Sequence, residues 1–328
     1  MSGNFWLSSQ CKRWLLKLDE STLERTNRRD MDEHGFDRDA ICELHSRFVR
    51  MIQSAGTLLR LRQRAVATAF VYFKRLYLKF SFCEIHPLLA ATVCIHLATK
   101  VEECEVRPKY VVEAVVKACK DEEDRAWTRQ AKLLRVPHMI ECELVILQAL
   151  NFDLIVFHPY RSLLDYAQSA GVFGSCVDIA WKSINDSFWT DACFRYPPHI
   201  IALAAFVMAC RYLRCDHSEW LSKQDVDLNE LYGMMRVFAD LYLDSIDQDN
   251  HPEQSTRVLR KLWSVVPPIG GGRNTKSSST GRTGANIGRS RTNVIMEDNS
   301  GVTTRSRKRR RSSRVKSRES RRSSQKSE

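Results

Sequence analysis

Residues 87–100, PLLAATVCIHLATK, decide the fold. A proline opens the run, where its missing N–H is no loss and its fixed φ suits the first helical turn. Behind it apolar side chains fill nearly every position, so a helix here has no face for water and must lie at the centre of others. The same design returns at residues 198–210, PHIIALAAFVMAC. Pro87 is followed by Ala91 and Ala98, Pro198 by Ala202 and Ala209, so the offsets of four and eleven agree. Small residues at equivalent points let neighbouring helices approach closely. The repeat predicts an all-α protein with two copies of one helical module.

The segments around these two helices supply their neighbours. Ile41, Leu44, Phe48, Ile52, Ala55 and Leu59 recur at three and four residues, one face of an amphipathic helix. Ala65–Tyr77 is a second helix, with Lys74 and Arg75 near its C-terminal end, where cations are favoured. Pro108 starts a third; its valines permit a strand locally, but the three-and-four repeat and the helical neighbours favour helix. The charged segment 121–135, around Trp127, reads as a partly helical connector. Ile140, Leu144, Leu147 and Leu150 close a five-helix unit that ends at Asn151-Phe152-Asp153.

A second unit follows, with helices at Pro159–Ala170, Ser175–Thr190, Pro198–Arg214, Asp225–Ile246 and Glu253–Val265. The division is 1–38, a short N-terminal helix and linker; 39–154 and 155–266, the two units; and 267–328, a tail. The N-terminal helix, Asn4–Leu18, is capped by Asn4 and carries Phe5, Trp6, Leu7, Trp14, Leu15 and Leu18 on an apolar face. Its tryptophans either dock on the protein's own core or belong to a partner surface. Residues 23–39 are polar and read as irregular.

The net charge of +12 has to be split by region. Residues 271–328 hold 17 Lys/Arg against 4 Asp/Glu, which leaves 34 basic and 35 acidic residues in 1–270. The positive field belongs to the tail, whose Ser, Thr, Arg, Lys, Gly and Asn cannot build a core and predict disorder. Arg307, Lys308, Arg309, Arg310 and Arg311 form an exposed basic cluster of the nuclear-import kind. Nonspecific RNA contact is the other reading of the tail; no aromatic lies beyond Trp263 for sequence-specific recognition. Phosphorylation of Ser306, Ser312 and Ser313 would neutralise part of it. The eleven cysteines are scattered, with no C-x2-C pair, and read as free thiols in a reducing compartment. No stretch of 18 apolar residues is present, so a soluble intracellular protein with no membrane contact is expected.

Signs of catalysis are missing. Phosphate-cradling glycine motifs, an H-E-x-x-H zinc motif and a G-x-S-x-G elbow do not occur. His86, His158 and His199 each sit beside a proline at a helix start, where packing explains them. Cys210, Cys215 and His217 lie close enough to suggest a metal site, but Cys210 is deep in an apolar run and thiol packing is the better reading. No catalytic residue, metal or cofactor is expected.

Residues 3–265 resemble the cyclin family, and within it the C-type cyclins. The blocks that carry the resemblance are GNFW (3–6), ATAFVYFKRLY (67–77), KVEE (100–103), ECEL (141–144), HPYRSLLDYAQ (158–168) and AWKSINDSFWTDACFRYPPHIIALA (180–204). It implies tandem five-helix cyclin boxes and a nuclear regulatory subunit that activates a cyclin-dependent kinase, most closely the kinase of the Mediator complex, acting on RNA polymerase II transcription. Such a subunit presses the kinase's regulatory helix inward so that the catalytic Lys–Glu pair forms. By resemblance, Lys100, Glu103 and Glu143 lie in the blocks that contact that helix, with Phe5 and Trp6 as further partner surface. Trp181, Asn185 and Asp186, spaced by four and five on one helix side, match a groove for a second partner, such as another subunit of the Mediator kinase module.

Three features depart from the family. Arg47-Phe48-Val49-Arg50-Met51 stands where cell-cycle cyclins keep a substrate-docking segment, the 121–135 connector differs from the C type, and the RS-bearing tail is foreign to it. The tail keeps a splicing-associated L-type cyclin as an alternative. A scaffold like transcription factor IIB would need basic surfaces on the boxes, which the balanced charge of 1–270 opposes.

Overall fold

The computed structural model describes residues 4–16, 34–120, 125–215, 218–250, 252–266 and 269, and among them there are helices and turns but no strand. The basic tail cluster, residues 17–33, residues 121–124 of the connector and His217 lie outside the described residues.

Asp37 caps the first long helix, α1 (Arg38–Leu58), by accepting the Ala40 N–H at 2.8 Å. The helix buries Ile41, Leu44, Phe48, Ile52 and Ala55, the stripe its spacing predicts. A Cβ on Gly56 would stand 2.6 Å from a methyl of Val66, so only glycine lets α1 approach α2 (Gln63–Tyr77) there.

The central helix α3 (Pro87–Val101) packs against α1, α2, α4 (Pro108–Ala118) and, beyond the short α5 (Arg125–Ala131), α6 (Val136–Ala149). Leu88, Ala90, Ala91, Val93 and Ala98 are fully enclosed. Burial of each larger apolar side chain contributes about 1.5–3 kcal/mol, and the alanines permit the close approach. Thr92 and Thr99 return their hydroxyls to backbone carbonyls of their own helix, so the centre holds no unsatisfied hydroxyl there.

The second group repeats the plan. Helix α7 (Tyr160–Ala170) ends on Gly171 in the left-handed conformation, and α8 (Ser175–Ser187) and the short α9 (Ala192–Arg195) lead to α10 (Pro198–Tyr212). After the short α11 (Ser218–Ser222) comes α12 (Leu228–Asn250). Helix α10 is enclosed by α7, α8 and α12, as α3 is in the first group.

The last helix, α13 (Pro252–Val265), departs from expectation. It packs on α1 instead of completing the second group. Trp263 stacks on His86 at 5.6 Å and lies 5.4 Å from Trp127, itself against Phe48 at 4.8 Å. The apolar face of α13 says that it must be covered; it does not say by which module.

Helix α2 and the chain's N-terminal segment hold the two groups together. Lys74 and Arg75 are 2% and 1% exposed, so they are not solvated end-of-helix cations as their position suggested. Lys74 donates to the Thr190 carbonyl at 2.6 Å, and Arg75 to the Asp153 carbonyl at 2.9 Å. Tyr72 and Lys79 donate to the carbonyls of Leu154 and Ala149. Residues 149–154 and Thr190 are thus tied to α2 and the residues just after it, with Lys74, Arg75 and Lys79 supplying charge-assisted bonds.

The N-terminal segment is not one helix. A tight turn at Phe5–Leu7 is followed by a wider one at Gln10–Trp14. Trp14 is buried, donates its indole N–H to Asp153 at 2.9 Å, and lies under Arg75 and Lys79 at 4.8 and 4.9 Å. Arg13 pairs with the same carboxylate at 2.7 Å.

Candidate partner-binding face

Lys100 stands in the last turn of α3 and Glu143 in the middle of α6. Because these helices pack side by side, the two residues meet as an ion pair at 2.5 Å. Their side chains are 40% and 18% exposed, so Glu143 is more sheltered than the sequence implied and neither waits unpaired. Next to Glu143 on α6, Ile140 and Leu144 are 55% and 56% exposed. This reverses the sequence reading, which put both in the core. Leu150 is buried and Leu147 packs partly buried on the core as expected, while Met139, Ile146 and Ala149 take the other core positions. Helix α6 is apolar on more than one side, so periodicity alone could not say which side the core takes. The result is a charged pair beside exposed aliphatic side chains, an arrangement suited to a partner helix.

The turn after Lys100 is bonded back to α2. Glu103 is exposed and has φ of 53°, ending the helix in the left-handed region. Glu102 points back, pairing with Arg64 and accepting the Thr68 hydroxyl at 2.8 Å. That hydroxyl has only one proton to give, so it accepts from His158 Nε2–H, 2.8 Å away. Burial holds the His158 pKa down to about 3, and Arg64 and Arg75 push the same way, so the ring is neutral. Phe157, the residue before it, carries Phe5 against its ring at 5.8 Å, while Trp6 rests on His199 at 5.6 Å. The two N-terminal tryptophans therefore divide the readings between them. Trp14 docks on the core, whereas Trp6 and Leu7 remain 57% and 70% exposed.

Trp181, Asn185 and Asp186 share a side of α8, as their spacing predicts, but none points free into solvent. Trp181 stacks on Tyr160 at 4.5 Å, and the Tyr160 hydroxyl donates to Asn185 at 2.9 Å. Tyr242 on α12 donates to Asp186 at 3.2 Å. Burial raises the Asp186 pKa and that hydrogen bond lowers it; burial dominates. Sequence reasoning missed both tyrosines, which lie 25 and 56 residues from their partners.

His86 and His199 are packing residues too, and burial depresses both pKa values, that of His86 to about 4. Phe48 and Val49, in the segment that departs from the cell-cycle pattern, are wholly enclosed. Cys210 meets Cys176, with the sulfurs 3.2 Å apart. Among the described residues no three His, Cys, Asp or Glu side chains converge on a metal position. No helix among them is long and apolar enough to cross a membrane.

Comparison with known proteins bears on this geometry. The family described as "Cyclin, N-terminal domain" matches residues 19–155. Cyclin-C of Rattus norvegicus is 35% identical over 269 residues, covering 82% of this chain and 93% of the relative. Cyclin-C of Drosophila melanogaster is 37% identical over 271 residues, covering 82% and 99%. Among solved structures, a chain of the CAK complex of Chaetomium thermophilum, bound to ATP-gamma-S, superposes with a TM-score of 0.61 at 19% identity, covering 80% of this chain and 88% of that one.

Proposed function

This chain belongs to the cyclin family, and from that premise we propose that it is the activating regulatory subunit of a transcription-associated cyclin-dependent kinase. It is not itself a catalyst: as in its cyclin relatives, the chemistry belongs to the kinase. The observation that carries the reading is the Lys100–Glu143 pair beside exposed Ile140 and Leu144. A kinase regulatory helix laid across α3 and α6 would bury the two aliphatic side chains and place its polar groups against the pair. Held inward by that contact, it would keep the kinase's own Lys–Glu pair closed. Glu103 and the exposed Trp6, with Phe5 beneath it, extend the face.

Likeness to Cyclin-C over 82% of the chain supports a Mediator-type kinase as the partner and a nuclear place of action. The proposed boxes remain 39–154 and 155–266, with α13 leaning on the first. Trp181, Asn185 and Asp186 are proposed as the seat of a further Mediator kinase-module subunit, since the part of Trp181 left exposed beside Tyr160 supplies an aromatic edge next to two polar groups. The cluster Arg307–Arg311 is proposed to bind an import receptor, and the tail as a whole to make nonspecific RNA contacts.

Purification of the native complex with mass spectrometry tests the assignment. A cyclin-dependent kinase together with Mediator subunits is the expected result, and repeated absence of any kinase would sink it. The same purification from a chain lacking 305–328 should retain the kinase while nuclear accumulation falls. An unchanged nuclear level without the kinase present would remove the import role.

A further inference from the structure

A groove on the first box is lined by neither residue of the Lys100–Glu143 pair. Leu58 and Leu59 at the end of α1, Val106 before α4, and Tyr110 and Ala114 on α4 enclose about 400 Å³ of open space. Leu58 is 38% and Tyr110 50% exposed, so the apolar floor is open to solvent. That volume takes one or two large apolar side chains.

The rim is what identifies the occupant. Residues 1–270 are balanced in charge, yet 58–64 and 104–120 together carry seven Lys/Arg and two Asp/Glu. Arg60 and Arg62 leave the α1–α2 turn, Arg107 precedes α4, and Lys117 lines the groove. Among the described residues, none of these four has a carboxylate within ion-pair distance. Glu113 also lines the groove, but Lys109 lies 3.8 Å from it. Arg60 has φ of 54°, in the left-handed region, where the chain turns out of α1. Lys117 lines the slot itself, and Arg60, Arg62 and Arg107 lie within one to three residues of its lining residues Leu59 and Val106, so the local charge is positive and favours an anion.

We propose that this groove docks an acidic peptide segment of a partner or substrate protein, with one or two large apolar side chains in the slot and flanking carboxylates on Arg60, Arg62, Arg107 and Lys117. Nucleic acid fits less well, because Tyr110 is the only aromatic among the residues that line the slot, too few for a base-stacking platform.

The test uses the full chain and two labelled peptides followed by fluorescence anisotropy. One has Asp/Glu on both sides of a central Leu-Phe; the other has Ala-Ala at the centre. The basic tail attracts both equally, so their difference reports the slot. The Leu-Phe peptide should bind about tenfold tighter than its control. Tyr110→Ala should erase that difference, and Arg60→Glu with Lys117→Glu should weaken the Leu-Phe peptide about tenfold, while circular dichroism stays unchanged. Equal affinity for the two peptides would overturn the proposal. So would charge reversals that weakened a labelled RNA and left both peptides untouched.

Discussion

The faces of the two boxes solve the same problem in opposite ways. On the first, the Lys100–Glu143 pair leaves Ile140 and Leu144 more than half exposed beside it. On the second, Tyr160 and Tyr242 complete the hydrogen bonds of Asn185 and Asp186, and Trp181 is stacked on a ring of its own chain. Exposed aliphatic surface without a cover is a cost that a partner relieves. A self-satisfied polar face can wait without one. The contrast points to the first face as the primary, energetically demanding interface and to the second as a site for an added subunit.

The largest effect should come from breaking the apolar half of the first face. Ile140→Asp with Leu144→Asp should lower kinase activation by at least about 30-fold, the scale of a lost interface hot spot. Since both side chains are exposed, thermal stability should stay within about 0.5 kcal/mol. Full activation by the double variant would remove the face from the interface.

The second face should respond in stability first. Asn185→Ala should cost about 1 kcal/mol of folding free energy, the net value of one hydrogen bond, and spare binary kinase binding. Loss of binary binding by a folded Asn185→Ala variant would move that residue into the primary interface.

The smallest effect is a difference in pH dependence. Burial lowers His45 and His86 to about 4 and His158 to about 3 from an ordinary 6.5. These three rings therefore stay neutral in the fold where the same histidines of the unfolded chain take up protons. Their stabilising effect is complete above pH 6.5 and is lost progressively as pH falls toward 4. Asp186 has the opposite sign. Its folded pKa lies above 3.8, so its ionised form is disfavoured in the fold and stability rises as pH drops through the range just above 3.8. Melting curves from pH 7 to 4 should show the wild type losing stability and Asp186→Asn losing slightly more. Identical curves would mean that Asp186 is solvated like an ordinary surface carboxylate.

Much of this was legible in the residues. The two proline-led apolar runs located both central helices, because a helix without a polar face has only one place to go. Spacing put Trp181, Asn185 and Asp186 on one side, and the KVEE and ECEL blocks pointed to residues that do meet in space. What periodicity could not supply were choices between equivalent faces and partners. Helix α6 has apolar residues to spare, so Leu147 and Leu150 face the core as the spacing says while Ile140 and Leu144 of the same stripe do not. Helix α13 has a clear apolar face but packs on α1, more than 200 residues earlier. Lys74 and Arg75 looked like end-of-helix cations because their carbonyl partners lie 116 and 78 residues away.

The central claim is that a kinase reads the charges of Lys100 and Glu143, beyond their attraction for each other. A partly exposed pair of this kind contributes about 1 kcal/mol to folding, so its removal can be separated from unfolding. The decisive measurement titrates the purified kinase with wild type, Lys100→Ala, Glu143→Ala and the exchanged Lys100→Glu/Glu143→Lys chain, following phosphorylation of an RNA polymerase II tail peptide. The account predicts that each alanine variant raises the half-activating concentration about tenfold, and that the exchanged chain, which restores the pair but inverts both charges, recovers none of the loss. Activation by the exchanged chain at the wild-type level would show that the pair only fastens α3 to α6, and would contradict the account.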